Sequence, residues 1–282
     1  LEEGRSGQNE NSDDEGGRML PASGIDLSVL LAHVQPGFFL DGVFNPPQNN
    51  DAYVQILLRT LHFLAGIIWI GHLYFFNLVN VNLMKALDGP TKGKVIPQLM
   101  PRALWWFRWG AVITVLVGLM YYAMYILKAD SNNAGKNVWV VLLVWLLVPV
   151  ITFAIEMVVV KRVNNGWVLA LIVALLVIIM ALVIIWWLKS QLVGYGSNKS
   201  YSIGLGGALG LVMLFNVWGI IWPNQKRIIS WTADNAENGT AVPPEAAKLG
   251  RIAFLASRAN TWLSVPMLFL MGASSHFSML GV

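Results

Sequence analysis

Two histidines ten residues apart, His62 and His72, interrupt an otherwise apolar run that also carries Gly66, Trp69, Gly71 and Asn77. Ionisable groups are costly inside a bilayer, so residues of this kind mark a functional site by default. A neutral imidazole ligates haem iron or another metal, or accepts a proton. At about 100° and 1.5 Å per residue, His62, Gly66, Trp69, Leu73 and Asn80 share one helical stripe. His72 falls roughly 80° off that stripe and about 15 Å further along. One metal cannot take both rings, and each needs a partner on another helix.

For His62 the expected partner is His276, which closes the last apolar run on the same side of the membrane. A haem b held between them is consistent with Gly66 one turn beyond His62, where a missing side chain lets a flat macrocycle lie against the backbone. Gly204, Gly207 and Gly210 offer a second flat wall. The competing reading is close helix packing for these small residues and an interfacial place for His276.

A second polar set gathers at the opposite depth. It comprises His72 and Asn77, then Arg102, Trp105, Trp106 and Arg108, then Asn216, Trp218 and Trp222 to Arg227, then Arg258, Asn260 and Thr261. An arginine within a membrane needs an anion, a water-filled cavity or backbone oxygens. With amides and aromatics beside it, the set suits a planar anion that stacks and accepts hydrogen bonds. The candidate binding residues are Asn77, Trp105, Arg108, Asn216, Arg258 and Asn260. An interhelical polar network near the headgroups accounts for the same residues equally well.

The elements that must position these groups follow from composition. The 282 residues are 56% hydrophobic and 12% charged, with a mean hydropathy of +0.59. Soluble domains carry about 25% charge, so the chain is an all-α integral membrane protein. Six runs reach the roughly twenty residues needed to span a core of about 30 Å: about 53–84, 103–128, 137–160, 166–193, 201–223 and 249–276. Lys and Arg concentrate in the first, third and fifth connections, which the positive-inside rule places in the cytoplasm with both termini outside. Residues 1–52 form an acidic segment with the composition of a disordered tail and a short surface helix at 25–33. Residues 53–282 form the helical membrane domain.

Trp139, Trp186, Trp187 and Tyr201 are expected at one interface, and Trp105, Trp106, Trp167 and Trp222 at the other. Glu156, near the end of the third run, is expected to snorkel to the surface beside Lys161 and Arg162. With no cysteine, the chain offers no disulfide, thiolate ligand or covalent haem attachment. No serine elbow, phosphate loop or zinc-spaced histidine pair occurs. The net charge of +4 comes from loops and does not imply nucleic-acid binding. A transporter is disfavoured, because the third and fourth runs lack polar positions.

Four stretches, Leu61–Asn77, Leu99–Trp109, Asn216–Ile229 and Leu255–Phe277, resemble the membrane domain of the bacterial membrane-bound urate oxidase (urate hydroxylase) family. The first stretch also resembles, more weakly, haem-binding membrane proteins of the protoporphyrinogen-oxidase type. The urate oxidase resemblance implies a multi-pass protein of the bacterial inner membrane that oxidises urate to 5-hydroxyisourate. It also implies electron transfer to a cytochrome c domain fused behind the helices. Without a Cys-x-x-Cys-His motif up to Val282, either the expected acceptor is a separate cytochrome c or the chain is a shortened paralogue that has left urate chemistry behind. In that reading Arg258 and Asn260 bind the substrate, His72 accepts a proton or serves as second ligand, and His62 holds the haem. The alternative is a non-catalytic accessory subunit of a larger respiratory or photosynthetic membrane complex, with the same helices binding haem, lipid, quinone or pigment.

Overall fold

The computed structural model describes residues 47 and 49–280, and those from Asn49 onward form one compact unit. The acidic segment and its surface helix at 25–33 lie outside the described residues. Among the described residues every regular element is a helix. We number six: α1 Asn50–Ala86, α2 Gly89–Asn133, α3 Val138–Arg162, α4 Gly166–Gln191, α5 Asn198–Asn238 and α6 Glu245–Ala273. The first five are long and apolar enough to cross a membrane. The sixth is long enough but falls short by composition, since it carries Lys248, Arg251, Arg258 and Asn260.

Side-chain caps begin most of these helices by satisfying otherwise unpartnered backbone N–H groups. Asn49 accepts from Ala52, Asn137 from Trp139 and Asn165 from Trp167. Ser197 accepts from the N–H of Ser200. Asp88 accepts from Thr91 at 2.7 Å, and that N–H, followed by the Thr91 hydroxyl, holds the Asp88 carboxyl below the usual carboxylate range. Gly239, at φ 71°, ends α5 in the left-handed conformation glycine adopts without strain.

Two helices run further than the apolar runs suggest. α2 starts at Gly89 rather than near 103, because the Asp88 cap and Pro90 in the first turn launch it and Pro97 and Pro101 are absorbed inside. α5 continues past Pro223 to Asn238. A wider π-helical turn over Val217–Ile221 precedes that proline, loosening the ladder where an N–H is missing. Similar turns interrupt α1 at Phe75–Asn80 and α2 at Tyr122–Leu127. π-helical turns occur frequently at functional sites.

α5 is the central helix, with Ser200–Ser202, Gly204–Gly206 and Ala208–Met213 buried. α3 and α4 pack on one side of it, α2 and α6 on others, and α1 lies mainly against α2. Small residues set the closest approaches. A Cβ on Gly110 of α2 would lie 3.2 Å from the Trp69 nitrogen and 3.3 Å from the Ala65 oxygen of α1. One on Gly206 of α5 would meet the Met267 oxygen of α6 at 3.3 Å.

The two ends of the bundle are chemically distinct. At one, the Asp130 carboxylate accepts from the Ser197 N–H and the Ser197 and Ser200 hydroxyls, each at 2.7 Å. Asn198 there donates to the Ser274 and Phe277 carbonyls. At the other, Arg251 donates to the Asn164 carbonyl and Arg227 pairs with Glu245. Of the expected interfacial aromatics, Trp105, Trp106, Trp139, Trp167 and Trp186 are exposed and Trp187 is half-buried. Tyr201 is buried instead, and Trp222 lies beneath an arginine rather than out in the belt.

Candidate functional site

His62 is half-buried between α1 and α2, and its Nδ1 lies 2.8 Å from the Thr114 carbonyl oxygen. A carbonyl only accepts, so Nδ1 carries the proton and Nε2 keeps its lone pair. That fixed tautomer is the state in which a histidine ligates iron. The ring fits because α2 has Gly118 opposite, where a Cβ would come within 2.7 Å of the imidazole. Gly66 faces Thr114, and a Cβ there would lie 3.7 Å from the threonine methyl. The corresponding space at Gly204 is filled by the Tyr122 hydroxyl and at Gly207 by Trp145. These glycines therefore serve helix packing here, while Gly210 has open space. His276 is exposed just beyond α6, and its ring makes no hydrogen bond among the described residues. The donor chemistry of His62 fits a first haem ligand; the structure shows no contact joining it to His276.

His72 donates from Nδ1 to Ile68 of its own helix at 2.7 Å, which likewise leaves Nε2 free. One turn further, the Asn77 amide donates to the Ser257 hydroxyl of α6 at 2.8 Å and to Leu73 at 2.9 Å. Tyr74 and Ser264 join the same two helices at 3.0 Å.

Glu156 does not snorkel. It is 1% exposed, turned into the bundle, and its Oε1 accepts from the Asn216 amide at 3.0 Å. The apolar outer face of α3 gives a carboxylate nothing to bond, whereas α5 offers an amide. The other hydrogen of that amide goes to Asn260 Oδ1 at 2.9 Å, and Asn260 donates to the Met213 carbonyl at 2.9 Å. The Met213 oxygen thereby orients the whole chain: Asn260 must present its oxygen to Asn216, and Asn216 its nitrogen to Glu156. Asn216 and Asn260 are thus brought together, as expected, but around a carboxyl group on α3.

Arg108 forms a separate cluster. Its guanidinium lies 3.5 Å from the Trp222 ring centroid and 5.3 Å from that of Trp218, and Nε donates to Leu104 at 3.1 Å. Trp109 meets Trp218 edge-on at 5.6 Å. Trp105 is exposed, in a shallow groove whose lining residues, Pro97 to Trp106, all come from α2. A groove on one helix cannot enclose a ligand. Arg258 lies over Phe254 at 5.1 Å, on the face of α6 that also exposes Trp262, Val265 and Phe269. The expected set is therefore divided among three interhelical places and two outward faces, Trp105 on α2 and Arg258 on α6.

Six buried polar atoms lack a hydrogen-bond partner among the described residues, and five of them belong to two stretches. Trp69 Nε1, Asn77 Oδ1 and Asn80 Oδ1 lie along the buried stripe of α1; Asn216 Oδ1 and Trp218 Nε1 lie at the π-helical turn of α5. Such atoms mark where water or a polar ligand belongs. Thr114 and Gly118, which seat His62, escape a search for chemical groups. Their signal was the spacing of Gly110, Thr114 and Gly118, four residues apart on one ridge of α2.

Comparison with protein families finds a match to the family described as urate oxidase N-terminal, over residues 87–281. No curated protein and no solved structure matches. The matched region takes in α2 to α6, so α1 with both membrane histidines precedes it. It covers more than half of the chain, which therefore belongs to the urate oxidase N-terminal family.

Proposed function

We propose that this chain is the membrane part of a redox protein that oxidises urate, or a similar planar anion, and passes the electrons to a separate cytochrome c. The observation that carries the reading is the Arg108–Trp218–Trp222 cluster between α2 and α5. It combines a guanidinium for negative charge, indole faces for stacking, and the buried, unpartnered Nε1–H of Trp218 for a carbonyl oxygen. Urate is flat, anionic and rimmed with such oxygens. The Glu156–Asn216–Asn260 chain suits it less, since a carboxyl group stands where the anion would sit. Arg108 is accordingly favoured over Arg258 as the substrate's cationic partner.

Oxidation to 5-hydroxyisourate takes one oxygen from water and releases two electrons and two protons. His72 Nε2, with its lone pair available, is the nearest histidine on α1 to the Asn77 region and is suited to accept a proton. A haem b on His62 Nε2 would supply one-electron transfer toward the opposite end of the bundle. His62 itself would bind and orient it, with Thr114 fixing the tautomer.

Purified protein supplied with urate and ferricytochrome c tests both halves. Urate-dependent reduction is expected, and Arg108→Ala should lower it by about 100-fold, the scale of losing a hydrogen-bonded charge. The wild type should show a Soret band that His62→Ala abolishes. A wild type inert toward urate sinks the substrate assignment. A Soret band unchanged by His62→Ala removes the ligand assignment.

A further inference from the structure

At the basic end of the bundle, an open pocket of about 330 Å³ lies between the α3–α4 connection and the start of α6. Its lining is Lys161, Asn164, Ala247, Lys248, Arg251 and Ile252: three cations, two apolar side chains and no acid. The acids close to these positions in sequence are committed elsewhere, Glu245 to Arg227 and Glu156 to Asn216. Arg251 is anchored by one bond to the Asn164 carbonyl, which aims the fork and leaves other N–H donors free. Three positive charges around one cavity with no acid facing them among the described residues repel one another, and an anion that enters it relieves that repulsion.

We infer that this pocket binds the phosphate group of an anionic phospholipid. A phosphate matches the donor fork of Arg251 and the point charges of the two lysines. Basic pockets between transmembrane helices are suited to anionic lipid headgroups. The location favours a lipid over a free ion. Lys161 lies in the last turn of a 25-residue helix whose exposed face is apolar along Leu143, Leu147, Val150, Ile151, Ile155 and Val158, and Trp167, 88% exposed, opens α4 after the short connection. From Arg251 an exposed apolar strip continues into the membrane along Phe254, Trp262, Val265 and Phe269, a path for an acyl chain. Arg258 in that strip has no hydrogen bond or ion pair among the described residues and leans over Phe254, one turn back toward the pocket.

Native mass spectrometry of the purified protein with phosphatidylglycerol or phosphatidylcholine tests the site. A Lys248→Gln/Arg251→Gln double variant should retain phosphatidylglycerol at least about tenfold less well than wild type, from the loss of two basic side chains at a charged leaflet. Phosphatidylcholine binding should be unaffected. Lys85→Gln/Lys94→Gln makes the same charge change outside the pocket and should retain the lipid as wild type does. Equal loss in both double variants reduces the effect to net charge and overturns the site. Inorganic phosphate that displaces the lipid at millimolar concentration, with the same dependence on Lys248 and Arg251, reassigns the pocket to a free anion. No difference between wild type and the pocket variant overturns the proposal outright.

Discussion

A hydrogen-bonded imidazole and a hydrogen-bonded carboxyl group bracket the chemistry this bundle can support. His62 has its proton committed to Thr114 and its lone pair uncommitted, a state imposed by backbone geometry and by the absence of a side chain at Gly118. Glu156 is the reverse case, an acceptor whose one observed partner is the Asn216 amide. Replacing Glu156 with Gln keeps an oxygen acceptor for that amide and should change stability by less than about 1 kcal/mol. Glu156→Leu strands a buried N–H and should cost about 1–3 kcal/mol. Thermal unfolding of the two variants in the same detergent checks this, and equal losses would mean that the bond to Asn216 contributes nothing. The expectation that Glu156 snorkels failed because it weighed only neighbours along the chain, Lys161 and Arg162. Its actual partner is 60 residues away on another helix. The rule that intramembrane acids face the bundle interior was the better guide.

Helical phase was readable from the sequence to the extent that one face is packed. The stripe expected for α1 places Trp69 and Leu73 in the core and His62 against α2, as its 100° periodicity implies. Helix ends were less readable. A proline normally argues for a boundary, yet α2 absorbs Pro97 and Pro101, and α5 passes Pro223 by way of a π-helical turn. Partner choice was not readable at all, because a stripe names a face and not the helix that covers it. One such pairing is α1 with α2 at Gly110, where two of the three atoms nearest a new Cβ, the Trp69 nitrogen and the Ala65 oxygen, are backbone and cannot rotate away. Gly110→Leu should therefore push the two helices apart and cost about 1–3 kcal/mol. The separation should also weaken the His62–Thr114 bond one turn along. Thermal unfolding and the His62 ring signal by nuclear magnetic resonance would report the two effects. A shift in stability without a change at His62 would show that the pairing is locally compliant.

Across the whole molecule, the direction of any electron or substrate traffic depends on which end faces the cytoplasm. Contacts already sort the ends: Arg251 with Asn164 at one, Asp130 with Ser197 at the other. Lys85, Lys92, Lys94, Lys161, Arg162, Lys226, Arg227, Lys248 and Arg251 cluster toward the first. Moving one positive charge across a membrane against its potential costs about 2.3 kcal/mol per 100 mV, so that end should stay inside. The chain has no cysteine, which leaves a silent background for labelling. Lys94→Cys and Val242→Cys should react with a membrane-impermeant maleimide only after cells are permeabilised. Asn132→Cys and Tyr195→Cys, both exposed at the opposite end, should react in intact cells. That pattern would place Arg108 and Trp222 toward the cytoplasmic side and would let a haem held at His62, as proposed, pass electrons outward from a point about 15 Å nearer the other end than His72. The reverse pattern would require the substrate to arrive from outside and the acceptor to wait within, and the proposed partnership with an external cytochrome c would fall with it.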